Sequence, residues 1–409
     1  MTSGAADKPI SAVDGSIVAV ESFAVGGRGV ARLDDGRVAF VDGAVPGDMV
    51  LVSLLSQKRR YVEAEAVEIA RPSPIRVEPW CPHRAEGCGG CDWQHVEAAA
   101  RRRHQVGLIA EVLDRSVGAS IEVEHAGSVP DRHYRTSARL SITGGRAGFK
   151  RSRSAEVVPF GSCGVLHDGL GWVAEVDWGG ADEVMVRHSG ADGVSLAVVH
   201  PSVEHIDAPD SVTIVGADEI RAGRRAWIYE QAAGQRFRLS AGAFFQSGPA
   251  AVELLVDTIA QRVGNELAAS SRVADLYGGV GVFTKALASM APRAEWLVVE
   301  SNRSAVADAR VNLSDVQARV IATKVERLRP ARSSVVIADP PRSGLGAKGA
   351  KVVADMQPES VVLVSCDAGA LARDARLLAQ AGFQLLSADV LDLFPQTSHV
   401  EVVSVFGGR

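Results

Sequence analysis

The last third of the chain sets the tightest constraint on what it can fold into. Apolar, valine-rich runs recur there: SRVADLYGGVG, AEWLVVES, SSVVIADPP, SVVLVSCD and HVEVVSVF. Helix-compatible segments such as VFTKALASMA, RSAVADARVNL and AGALARDARLLAQAG lie between them. Strands and helices alternating at this spacing predict a doubly wound, Rossmann-like α/β sheet over residues 236–409. The runs are continuous rather than alternating, which is the pattern of strands buried on both faces.

At 409 residues the chain is too long for one ordinary domain, and two or three domains are expected. Hydrophobic content of 46% and charged content of 23% are those of a globular protein in water. No apolar run reaches the ~18 residues of a membrane span. The opening MTSGAADKPISAVDG lacks the apolar core of a signal peptide and reads as a disordered tail over residues 1–14. A cytoplasmic monomer without a membrane partner is expected.

Residues 15–70 hold short Val-rich strands, with Asp34-Asp35-Gly36-Arg37 as a hairpin signal and Pro72 and Pro74 closing the unit. They predict a small β-barrel, either OB-like and RNA-binding or an SH3-like interaction module. Residues 71–235 form a central α+β stretch whose strand order the pattern does not fix. It opens with Cys81, Cys88 and Cys91, three of 5 cysteines. In a reducing compartment such clustering points to metal binding or catalysis rather than disulfides. The net charge of −5 gives no sign of nucleic-acid binding. Residues 131–153 do: Arg132, Arg135, Arg139, Arg146, Lys150, Arg151 and Arg153 stand against Asp131 as the only acid. They form either a solvated basic face or a phosphate-binding strip, with Arg135 and Arg139 as substrate contacts.

Asp275-Leu276-Tyr277-Gly278-Gly279-Val280-Gly281 follows a predicted strand and opens a helix, and Glu300 ends the next strand. Glycines allow a tight turn and close approach to a ligand, and a carboxylate at that place accepts hydrogen bonds from ribose hydroxyls. The spacing is not G-x-G-x-x-G, which counts against a dinucleotide. Asp339-Pro340-Pro341-Arg342 and Cys366 each follow a strand directly, so both are expected on the sheet edge where ligands bind. The helix start after Cys366 is expected to lower its thiol pKa and favour the thiolate.

Together these residues resemble the RNA uridine-C5 methyltransferases of the RumA/TrmA type. FFQSGP at 244–249, DLYGGVG at 275–281, ADPPRSG at 338–344, VSCDAGALARD at 364–374 and FPQTSHVEVV at 394–403 are similar to that family's ordered motifs. Asp367, Ser247-Gly248, Val282 and Thr136 depart from them. The resemblance implies a TRAM domain for the barrel and S-adenosylmethionine as cofactor. Gln246, Tyr277, Gly278, Gly279, Gly281, Glu300 and Asp339 would hold that cofactor, and Asp339 and Arg342 would touch the uracil. It makes Cys366 the nucleophile that adds to C6 and Glu401 the general base. A flipped or single-stranded target is then required. CPHRAEGCGGCDWQH is similar to the cysteine motif of the family's cluster-bearing members. Cys81, Cys88, Cys91 and Cys163 would accordingly hold a 4Fe-4S cluster, with zinc as the alternative. The combination favours ribosomal RNA, 23S above all, over transfer RNA. The rivals are a cytosine-C5 methyltransferase, a non-catalytic RNA-binding or RNA-folding protein, and a zinc-stabilised interaction protein.

Overall fold

The structure, a computed structural model, describes residues 16–118, 121–203 and 206–408. The tail expected over 1–14 lies outside them. The chain divides into two compact units. One comprises the N-terminal part to residue 84 with residues 91–104 and 396–398; the other comprises 85–90, 105–395 and the chain from 399.

In the first unit β1 (Ile17–Phe23), β2 (Gly29–Arg32), β3 (Val38–Asp42), β4 (Met49–Gln57) and β5 (Tyr61–Arg71) close a barrel in the order β1-β2-β3-β5-β4. Valine and alanine fill its narrow lumen: Val18, Val20, Ala31, Ala39, Val41, Val50, Val62 and Ala64 are all buried. The expected hairpin turn forms at Gly36, where φ is +82°, and the backbone N–H of Arg37 donates to Asp35 Oδ1 at 3.0 Å. Asp48 is fully buried beneath the barrel, where it accepts from Val45 N, Ser73 N and Arg76 Nη2 at 2.6–2.8 Å. Burial alone would raise its pKa, but these donors outweigh it and leave the carboxyl below its ordinary value. Trp93 donates through Nε1 to Gly27 O at 2.8 Å and through its backbone N to Gln396 O at 2.9 Å.

The short helix α1 (Pro82–Ala85) and the long helix α2 (Ala98–Val117) follow the barrel. In the second unit β6 (Val123–Ser128) precedes a six-stranded sheet. That sheet is built from β7 (Ser137–Thr143), β8 (Arg146–Lys150), β9 (Val157–Pro159), β10 (Glu183–His188), β11 (Ser195–His200) and β12 (Val212–Gly216), in the order β12-β11-β10-β7-β8-β9. Helix α3 (Ala217–Arg221) and the hairpin β13 (Trp227–Ala232) with β14 (Gln235–Ser240) lead into α4 (Pro249–Ala269).

The expected α/β layer then forms. It contains β15 (Arg272–Leu276), α5 (Val282–Leu287), β16 (Glu295–Glu300), α6 (Arg303–Asn312), β17 (Ala318–Ala322) and β18 (Val335–Ala338). It continues through α7 (Gly346–Asp355), β19 (Ser360–Ser365), α8 (Ala368–Gln380), β20 (Gln384–Asp392) and β21 (Glu401–Gly407). The eight-stranded sheet runs β17-β16-β15-β18-β19-β21-β20-β6. Strands β17 to β19 are mutually parallel, and β21 runs antiparallel to both its neighbours. The order reverses at β15, so β15 and β18 flank the switch point where ligands bind in such sheets. Three strands of this sheet, β6, β17 and β20, were not evident from sequence. β20 and β6 carry serine, aspartate, glutamate and histidine between their apolar residues, and long-range pairing rather than local pattern places them.

Candidate active site

The Gly-rich turn after β15 is shaped by its backbone. Tyr277, Gly279 and Gly281 have φ of +60°, +54° and +89°. A Cβ at Gly278 would lie 2.7 Å from Val298 Cγ1, so only glycine fits there. Glu300 ends β16 and anchors the turn: its Oε2 accepts from Gly279 N at 3.0 Å, and its Oε1 from Ser301 N and Asn302 N at 2.6 Å. The expected ribose acceptor therefore also holds the loop.

Beneath the turn, Asp275 is fully buried. Its Oδ2 accepts from Thr284 Oγ1 at 2.7 Å, whereas Oδ1 is buried and has no partner. Burial pushes this carboxyl up to about 6, against the Thr284 bonds and with help from the Glu300 charge. The open space at Gly279, the carboxylate of Glu300 and the orphan oxygen of Asp275 together fit a polar, nucleoside-bearing ligand.

Asp339 stands directly beyond β18, and its N–H donates to Leu276 O at 3.3 Å. Its Oδ2 accepts from Gln246 Nε2 at 3.2 Å. Burial, then the charge of Asp275, raises the Asp339 carboxyl to about 7. The structure thus brings together Gln246, Tyr277, Gly278, Gly279, Gly281, Glu300 and Asp339.

The nucleophile and base candidates meet through strand register. Ser365 pairs with Val402 across the antiparallel β19–β21 ladder, so Cys366 and Glu401 face each other at adjoining strand ends. Glu401 is buried and Cys366 half-buried. The expectation of a lowered thiol pKa is corrected here. Burial, followed by the charges of Glu401 and Asp339, pushes the Cys366 thiol up to about 11, with Arg342 opposing. The helix start offers less than expected, because Asp367 caps α8 and Oδ1 accepts from Ala370 N at 2.7 Å. Burial and the Asp339 charge likewise hold Glu401 well above the ordinary carboxylate range, again with Arg342 opposing. Burial thus shifts a group of carboxyls and a thiol toward their protonated forms, with Arg342 as the opposing cation.

Sequence reasoning missed Asp374. Fully buried on α8, it accepts from Leu345 N at 2.6 Å and from Gly346 N at 3.1 Å. Arg373 Nη2 donates to Ser343 O at 2.5 Å. A Cβ at Gly344, where φ is +69°, would lie 2.1 Å from Asp374 Oδ2. The helix that starts beside the nucleophile thus reaches back to clamp residues 343–346, just after Arg342. The available signal was an acid beside Leu371, Ala375 and Leu378 on the apolar face of ALARDARLLAQ.

The expected substrate arginines separate. The guanidinium of Arg135 lies 6.0 Å from the centre of the Phe394 ring, on the segment leading to Glu401. Arg139 is exposed on β7 and ion-paired with Glu183 at 2.5 Å. Two departures from the family motifs have structural roles. Thr136 N donates to Ser247 O at 2.8 Å, and a Cβ at Gly248 would lie 2.3 Å from Tyr134 O. For Val282, at the start of α5, no such role is evident.

The cysteine set expected to hold a cluster is spread over the two compact units. Cys81, Cys88, Cys91 and Cys163 are half-buried thiols. Among the described residues no three His, Cys, Asp or Glu side chains are gathered as a metal site. Cys81 Sγ instead lies 3.6 Å from His83 Nδ1, and Cys81 N donates to Gln94 Oε1 at 3.0 Å. Four thiols have the right donor chemistry for an iron–sulfur cluster or zinc. Among the described residues no helix is long and apolar enough to cross a membrane.

Comparison with known proteins agrees with this geometry. The family model of the TRAM domain matches residues 17–67, and that of the methyltransferase small domain matches residues 236–371. An uncharacterized RNA methyltransferase of Streptomyces avermitilis is 33% identical over 95% of this chain and 97% of its own. The 23S rRNA (uracil(1939)-C(5))-methyltransferase RlmD of Halomonas elongata is 31% identical over 93% of this chain and 87% of its own. The structure of Pyrococcus abyssi tRNA (uracil-54, C5)-methyltransferase, in complex with S-adenosyl-L-homocysteine, shares the fold with a TM-score of 0.74 at 22% identity, covering 95% of this chain and 99% of that one. With full-length relatives above the 30% level and the sheet-edge residues in place, the chain belongs to the RNA uracil-C5 methyltransferase family.

Proposed function

We propose that this protein methylates C5 of a uridine in 23S ribosomal RNA through a covalent bond between Cys366 Sγ and C6 of the base. The opposition of Cys366 and Glu401 across β19 and β21, beside Asp339, carries this reading. The ribosomal target is supported by the named activity of the Halomonas relative and by the barrel.

Bound S-adenosylmethionine supplies the methyl group on a positively charged sulfonium. Gln246, Asp339, Glu300 and the turn 277–281 orient it. A cation in that place favours the ionised forms of Asp339, Glu401 and Cys366, whose pKa values burial raises. The thiol of Cys366 releases its proton to water, and Sγ bonds to C6 as the C5–C6 double bond opens toward C5 and the C4 oxygen. The displaced ring electrons make C5 nucleophilic, and C5 gains the methyl group as its bond to the sulfonium sulfur breaks and leaves a neutral thioether. Glu401, as carboxylate, takes the C5 proton. The C–S bond then breaks, restoring the ring double bond and the thiolate. The cysteine set is proposed as a ligand set for a 4Fe-4S cluster, or zinc, in a rearranged state, with no part in these steps.

The test is nucleoside mass spectrometry on transcribed 23S rRNA fragments and on tRNA incubated with the enzyme and S-adenosylmethionine. 5-Methyluridine is expected in the rRNA alone. Cys366→Ala should abolish it, together with any adduct to 5-fluorouridine RNA, and Glu401→Gln should accumulate a methylated adduct. Continued turnover by Cys366→Ala would remove that residue from the mechanism.

A further inference from the structure

The outer face of the hairpin β13–β14 carries interleaved rings and guanidinium groups. Ile228, Ala232, Phe237 and Leu239 point inward and are buried, whereas Trp227, Tyr229, Arg236 and Arg238 occupy the other face. Tyr229 pairs with Arg238 in the antiparallel register. The Arg238 guanidinium lies 5.5 Å from the Trp227 ring centre, and that of Arg236 lies 4.4 Å from the Tyr229 ring centre. Hydrogen bonds fix both arginines. Arg238 Nε donates to Oδ1 of the buried Asp308 at 2.7 Å, and Arg236 Nη2 donates to Asp192 Oδ2 at 2.9 Å. Even so, Trp227 keeps 44% of its surface exposed, and Phe244, in the loop after β14, keeps 69%.

Two features select the occupant of this face. Rings alternating with guanidinium planes along a strand present flat π and cationic surfaces, which suit unstacked nucleobases and their phosphates. The exposed Arg225 and Arg236 add the matching charge for a polyanion. The same segment also continues into the catalytic edge: beyond β14 come Phe244 and then Gln246, which is bonded to Asp339. We infer that this face is a platform for single-stranded RNA, on which nucleotides flanking the target uridine stack. The inference rests on the reading of the chain as an enzyme acting on a uridine in RNA.

Fluorescence anisotropy of the full-length protein with a labelled single-stranded oligouridylate tests it, since binding is read without turnover. Combined Trp227→Ala and Tyr229→Ala should weaken binding about tenfold or more, the scale of losing one or two stacked bases. Combined Trp227→Phe and Tyr229→Phe should retain binding. Affinity for a double-stranded RNA should not change, because its bases are already paired. Photocrosslinking of 4-thiouridine RNA to the wild-type protein should label the peptide spanning residues 227–240, which guards against a misfolded variant. Unchanged oligouridylate binding by the alanine pair, an equal loss for duplex RNA, or no crosslink within the hairpin would each overturn the inference. Binding is measured without S-adenosylmethionine and methylation separately, so loss of methylation with binding retained counts against the covalent mechanism and not against the platform.

Discussion

Gln246 Nε2 donates to Asp339 Oδ2 at 3.2 Å, and this one bond ties the loop after β14 to the segment after β18. It is a neutral donor to a carboxyl that burial and Asp275 have raised to about 7. The pair stores a desolvated acid at the switch point of the sheet, next to the thiol and the second carboxyl. Sites of this kind trade stability for chemistry, and the trade can be measured.

Asp339 titrates higher in the folded protein than in the unfolded chain. The folded state therefore binds the proton more tightly, and the contribution to stability is complete below about 4 and lost as pH rises through about 7. Asp339→Asn removes that loss. The ligand-free variant should melt a few degrees above the parent at pH 8 and show little gain at pH 5, while losing methylation. Differential scanning fluorimetry across pH checks this, and a parent-like pH profile would mean that Asp339 does not titrate in that window.

Arg342 lowers the pKa of both Cys366 and Glu401, so its loss should leave the thiol harder to ionise. Arg342→Gln should slow alkylation of Cys366 by iodoacetamide about three- to tenfold at pH 8, less than one full pKa shift of two units would give. Because Arg342 is exposed, high salt should shrink the difference. Peptide mass spectrometry gives the site-specific rate; equal rates in the two proteins at low salt would contradict the electrostatic role.

Asp374 acts through the loop it holds rather than by touching substrate. Asp374→Asn leaves one backbone donor of the 343–346 segment badly paired, at a cost of about 1–3 kcal/mol in stability. We expect kcat to fall at least about tenfold while the affinity for S-adenosylhomocysteine changes little, since misplacement of about an ångström is enough for such a loss. Calorimetry and single-turnover kinetics separate the two; parallel losses in binding and rate would mark a general structural defect.

The cysteine set is tested directly on protein purified without oxygen. A brown preparation whose visible absorbance and iron content disappear in Cys81→Ser with Cys91→Ser would establish the cluster. Zinc in place of iron would establish the alternative, and metal-free protein of full activity would retire both.

Much of the α/β layer was legible because its strands are buried on both faces and so must be continuously apolar. The turn at 275–281, Asp339 and Cys366 could be placed from that pattern alone, since ligand-bearing edges follow strand ends. The thiol pKa could not. A helix start is visible in sequence, whereas the approach of Glu401 and Asp339 depends on which strands are neighbours. Asp374 stayed hidden for a related reason: its partners are backbone amides, which carry no residue signature. For the cysteines, spacing specifies donor chemistry without specifying that the donors meet.

The first compact unit is not a contiguous stretch of chain. Gln396 accepts from Trp93 N and from Arg101 Nη1, and Ser398 N donates to Asp92 Oδ1 at 3.0 Å. A few residues from the far end of the polypeptide thus complete a unit begun by its first strands, and residue 401 follows almost at once. No single cut releases the barrel side as an intact piece. During synthesis these buried donors must wait for some three hundred further residues to emerge before they are satisfied.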